Sequence, residues 1–117
     1  MKKGLEGQPG ARDIEDVVSD FEKAEGFDLK TLKVGEKLEF TTENTVYTLE
    51  KDEAGFFISG NPRLCPEPTR AYIAGSTMGG RMIKNDYIVV GGRLEFTLPD
   101  RQGPLVTSPI RSFKKLN

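Results

Sequence analysis

The chain has 117 residues, a net charge of −1, 36% hydrophobic and 30% charged residues, one cysteine and no histidine. That length suits one domain with a core of its own, and the apolar residues cluster in short runs that disorder would not need. A lone Cys65 makes neither an internal disulfide nor, by itself, a zinc site, and without histidine the Ser/His/Asp and Cys/His nucleophile arrangements cannot be built from this chain.

The first residues, MKKGLEGQPGAR, have lysines but no apolar stretch behind them, so they do not read as a secretory signal. No run approaches the ~20 apolar residues of a membrane span. The expectation is a cytoplasmic protein that uses neither membrane nor cofactor nor metal. Charge is uneven: residues 1–60 carry 8 Lys/Arg against 14 Asp/Glu, residues 61–117 carry 9 against 4. A basic half can mark an anionic partner, but strands from the two halves can also interleave and cancel the asymmetry.

In chain order, residues 1–11 are glycine-rich, polar and aperiodic, and read as disordered. Within 12–26, Ile14, Val17, Val18, Phe21 and Ala24 follow the spacing of one helical face, Asp13 can cap the first turn and Gly26 can end the helix. So short a helix needs a surface to lie on. That surface is the chain's own strands or a partner.

From residue 37 the period falls to two. Leu38 and Phe40, then Tyr47 and Leu49, alternate with polar residues around Glu43–Asn44, which predicts a hairpin over 37–51. Asp52 to Gly55 reads as a turn and Phe56 to Ser59 as a third strand. The prolines at 62, 66 and 68 exclude a central strand there. Strands follow at 70–74 and 81–84, then at Tyr87-Ile88-Val89-Val90, whose lack of a polar face predicts the most buried strand. Gly91-Gly92 breaks that run, Leu94, Phe96 and Leu98 alternate again, and a last strand over 105–116 is bent or interrupted at Pro109. About seven short strands at this spacing predict a mainly β fold over 30–117: a small closed or partly open barrel, preceded by the helix.

Gly75 and Gly80 stand five apart, as in a phosphate-binding loop, but Arg81 and Met82 occupy the places of its Lys and Ser/Thr, and no helix follows. What survives is a weaker possibility: amides of Gly79, Gly80 and Arg81 with the hydroxyls of Ser76 and Thr77 as an anion-binding nest. Against it stands a plain turn needing a glycine's backbone. Lys84, Arg93, Arg111, Lys114 and Lys115 form a candidate interaction surface. With Arg81, and with Tyr72, Tyr87, Phe96 and Phe113 interleaved, they have the composition of a single-strand nucleic-acid groove. No carboxylate lies in an apolar run beside a partner, so no catalytic residue is assigned. Cys65, between Leu64 and Pro66, reads first as a passive small apolar residue and second, with Arg63 and Arg70 near in sequence, as a reactive thiol.

The residues Gly75-Ser76-Thr77, Gly79-Gly80, Met82-Ile83-Lys84, Gly91, Arg93-Leu94-Glu95-Phe96 and Val106-Thr107-Ser108-Pro109-Ile110 resemble a family of small bacterial β-barrel proteins to which no activity is assigned. The resemblance spans about residues 30–116 and leaves out the acidic helix. Members often carry a tryptophan after the glycine pair, and this chain has none. It implies a compact bacterial domain and no chemistry. The function these readings favour is a non-enzymatic β interaction module for a protein partner or a second copy. The alternative is single-strand nucleic-acid binding by the basic half. Less favoured is a small enzyme built on carboxylates or on the anion-binding loop.

Overall fold

The computed structural model describes residues 25–78 and 82–116. The predicted disordered segment, the predicted helix up to residue 24, and residues 79–81 lie outside that description.

The described chain is mainly β. Its elements are β1 (Gly26–Asp28), a 3-10 turn (Leu29–Thr31), β2 (Lys37–Thr42), β3 (Val46–Asp52), β4 (Gly55–Ser59), β5 (Thr69–Met78), β6 (Met82–Asn85), β7 (Tyr87–Val89), β8 (Arg93–Thr97), β9 (Leu105–Val106) and β10 (Ile110–Lys115). Eight strands form one antiparallel sheet in the order β10-β2-β3-β4-β5-β8-β9, with β6 added to β5; β1 and β7 form a separate two-stranded ribbon.

The alternation from residue 37 places Leu38, Phe40, Tyr47, Leu49 and Ile58 on one face, where all are buried with Leu94, Phe96, Leu98 and Ile110 in a single core. The predicted hairpin forms, with Phe40 opposite Tyr47 and their rings stacked at 5.0 Å. Its turn is tied by Thr42, whose amide and hydroxyl donate to the Thr45 carbonyl while its Oγ1 accepts the Thr45 amide. The sheet curls strongly. Tyr47 on β3 and Phe96 on β8 are three strand spacings apart along the ladder, or about 14 Å if the sheet were flat. Their rings meet edge to face at 6.5 Å.

The curl does not close into the predicted barrel. β9 pairs with β8 and β10 pairs with β2, but among the described residues no ladder joins β9 to β10. The reason is local. The last segment is one chain crossing from one end of the sheet to the other, and it breaks pairing at Ser108 and Pro109, where proline has no amide to donate. The bend expected at Pro109 is this crossing.

Three further expectations are corrected. Gly26, expected to end a helix, opens β1 opposite Val89, and the Glu25 carbonyl before it accepts the Val90 amide. Residues 26–32 therefore belong to the body: Leu29 and Leu32 are buried and Phe27 packs on the core. Strand 70–74 runs on to Met78, so Gly75-Ser76-Thr77 is strand and not loop. β5 passes through a register shift between Ile73 and Gly75, which a glycine accommodates: Gly75 has φ +138°, and a Cβ there would overlap the Lys84 carbonyl.

Candidate functional site

Beyond that shift, β5 is flanked by β6 on one side and β8 on the other, with Ser76 opposite both Lys84 and Leu94. The Ser76 side chain is fully buried. Its hydroxyl donates to the Tyr87 carbonyl at 2.7 Å and accepts the Val89 amide at 3.1 Å. Both functions of the hydroxyl tie β5 to β7 inside the fold. Thr77 is buried as well. The candidate nest thus keeps none of its Ser76 hydroxyl for a ligand, and Gly79, Gly80 and Arg81 lie outside the described residues. Gly91-Gly92 forms a tight corner: Gly91 has φ +92°, the Gly92 amide donates to Val89, and the Gly91 amide and Gly92 carbonyl bond to Ile110.

The candidate basic residues do not share one patch of unbalanced charge. Arg111, Lys114 and Lys115 lie along β10, and each meets a carboxylate from β2 or its flanks. Arg111 donates to Glu43 at 2.7 Å, Lys114 lies 3.7 Å from Glu39, and Lys115 donates to Glu36 at 3.0 Å. The acidic first half and the basic second half are neighbouring strands here, so the sequence asymmetry cancels where they pair. Lys84 on β6 lies over the Tyr87 ring, 4.4 Å from its centroid, with Lys30 at 5.3 Å. Arg93 on β8 donates to the Thr107 carbonyl at 3.4 Å. The interleaved aromatics separate too. Phe96 is core, Tyr87 and Phe113 are half-buried, and Tyr72 is 70% exposed.

Tyr72 lies on β5, where Ala71 and Ile73 point to the core and Arg70 and Tyr72 point outward. A shallow hollow borders it on each side. One, of about 350 Å³, includes Gly55, Phe56, Ile73 and Asp86; the other, of about 200 Å³, includes Thr97, Leu98 and Pro99; Arg70, Ala71 and Tyr72 are common to both. The larger opens because β4 starts at Gly55 and pairs with β5 only over Thr69–Ala71, while β6 pairs with it only from Gly75. Arg70 is tied to its neighbours beside Tyr72. Its guanidinium donates to both oxygens of Asp52, at 2.8 and 2.6 Å, and stacks 4.2 Å from the centroid of Phe57. Asp52 also accepts the amides of Ala54 and Gly55, closing the β3–β4 turn. The Arg70 bonds, with the two amides, hold the Asp52 carboxyl down at about 2. The outward place of Tyr72 was legible in the alternation of Arg70-Ala71-Tyr72-Ile73. The hollows were not, because their walls come from three strands, β4, β5 and β8, and from three connecting segments distant in sequence.

Cys65 is buried and free, with burial pushing its thiol up, and it packs in the core under a loop that Asn61 holds by accepting the Arg63 and Leu64 amides. Among the described residues, no group of three or more His, Cys, Asp or Glu side chains is disposed to hold a metal ion, and no helix is long and apolar enough to cross a membrane. Comparison with family models, curated proteins and solved structures gave no match.

Proposed function

We propose that this protein is a non-enzymatic β interaction module that takes a protein partner on the outer face of β5. The observation that carries this reading is Tyr72, a large amphipathic ring exposed in the middle of the sheet between two hollows and beside a fixed guanidinium. Tyrosine suits that role, since it offers wide contact area at little conformational cost. Arg70 and Phe57 form a base that need not reorganise on binding, which favours affinity. The pairing of Arg111, Lys114 and Lys115 with carboxylates supports ranking a protein partner above single-strand nucleic acid, whose binding depends on unbalanced positive charge. The resemblance to small bacterial β proteins and a cytoplasmic setting belong to the same reading, and a buried free thiol suits a reducing compartment.

The test is comparative capture with the full chain. Wild type, Tyr72→Ala and the control Val34→Ala, another exposed apolar residue, are each used to capture binders from native lysate. The expected outcome is a partner retained by wild type and Val34→Ala and lost by Tyr72→Ala. Identical captured sets from all three would reject the Tyr72 face. Salt-sensitive, micromolar binding of a labelled poly-pyrimidine strand would replace the reading with the nucleic-acid one.

A further inference from the structure

The last strand is attached to its own body by very little chain. Thr107 is fixed to β8: its amide donates to the Leu94 carbonyl and its Oγ1 accepts the Leu94 amide. Ile110 is fixed by backbone bonds to Gly91 and Gly92. Between these points only Ser108 and Pro109 carry the chain from one end of the sheet to the other. Proline sets its own φ and holds the preceding residue extended, so this pair favours a straight connector over a turn. Short connectors of this kind favour exchange of the terminal element between copies.

What β10 meets is, by contrast, complete and specific. It pairs with β2 from Ile110 opposite Thr42 to Lys115 opposite Leu38. Ile110 is buried, Phe113 lies opposite Phe40 with its ring 6.0 Å from that of Phe27, and the Leu116 amide donates to the Lys37 carbonyl. Arg111, Lys114 and Lys115 each have a matched carboxylate in Glu43, Glu39 and Glu36. A second copy offers the same receiving edge with the same charges, so exchange remakes every contact and changes only the connector.

We infer that β10 exchanges between two copies of this chain, each copy laying Ile110–Lys115 on the partner copy's β2 to form a closed, two-fold dimer. This inference is independent of the Tyr72 face, because β3 and β4 separate β5 from β2 and β10 in the sheet order.

Glu39 and Lys114 stand opposite each other in the β2–β10 register, so they report exchange directly. Full-length Glu39→Cys and Lys114→Cys chains are mixed, refolded together at high concentration and oxidised. The expected product is a covalent heterodimer on a non-reducing gel, far more abundant than from the off-register mixture of Glu43→Cys with Lys114→Cys. Equal yields from the two mixtures, or no covalent dimer, overturn the inference. Sedimentation of the unmodified chain provides the second reading, which does not depend on the variants folding. A dimer that grows with concentration and is lost when six Gly/Ser residues are inserted between Ser108 and Pro109 supports exchange. A monomer at every concentration, or a dimer indifferent to the insertion, overturns it.

Discussion

Asp52 shows how one carboxylate can serve a turn and a surface at once. It accepts two amides of the β3–β4 turn and both arms of Arg70, and so stays ionised down to about pH 2. In the unfolded chain an aspartate titrates near ~3.9. Because the folded value is the lower, the stabilisation is full above about pH 4 and is lost as pH falls toward 2. Thermal melts across pH should therefore show Asp52→Asn with a lower Tm than wild type at neutral pH, the gap narrowing through that window. A gap that stays constant down to pH 2 would mean that the Arg70 bond contributes nothing. Gly75 is the other residue with no substitute. Its φ of +138° and the Lys84 carbonyl beside it leave no place for a Cβ. Gly75→Ala should cost on the order of 1–3 kcal/mol in backbone strain alone, read from a urea titration.

Among the elements, β7 is the one most dependent on its neighbours. It has only three residues, yet Ile88 and Val89 are buried, and its partners are β1 on one side and the Ser76 hydroxyl on the other. The run Tyr87–Val90 announced its burial by lacking a polar face, but nothing in it announced that its bonds would come from a serine in β5. Ser76→Ala removes the donor to Tyr87 and the acceptor for Val89 from a dry site, a loss of about 1–3 kcal/mol. Hydrogen exchange should resolve where the loss falls. In wild type the Val89 amide should be among the slowest to exchange. In Ser76→Ala it should become fast relative to amides of the β2–β3 hairpin. Unchanged protection at Val89 would show that Ser76 is dispensable to the ribbon. The same element scale explains why the predicted basic surface weakens: β10 and β2 are adjacent only because the chain returns to its first hairpin at its end.

At the scale of the whole molecule, stability rests on the curl that lets β3 touch β8. Phe40, stacked on Tyr47 and fully buried, sits in that closure. Phe40→Ala should cost about 3–5 kcal/mol by chemical denaturation, as for other large core truncations. Tyr72→Ala should leave stability within about half a kcal/mol, since that ring is exposed and away from the core. The contrast separates a residue that holds the fold from one that faces outward from it. If Tyr72→Ala destabilises as much as Phe40→Ala, the outer face is part of the structure and not a surface for a partner.

The strands were legible from local signals because each depends on residues a few positions apart. Period-two alternation marked β2, β3 and β8, the Glu43–Asn44 turn marked the end of the first hairpin, and Pro109 marked the break before β10. β1 and its 3-10 turn escaped notice because three residues carry no period, and Gly26 resembles a helix stop until Val89 is found opposite it. Gly75-Ser76-Thr77 resembles a loop in sequence because glycine and small hydroxyl residues favour turns. It is strand because β6 and β8 both pair with it and Ser76 has buried partners. The sequence by itself determined that this chain supplies no histidine, through composition, and that its body is mainly β, through alternation and turn residues. Tertiary structure alone decided that the sheet curls without closing, that the charges of the two halves cancel along β2 and β10, and that Tyr72 stands between two hollows. These are relations between strands tens of residues apart, and alternation within a strand says which face is apolar but not which distant strand will lie beside it.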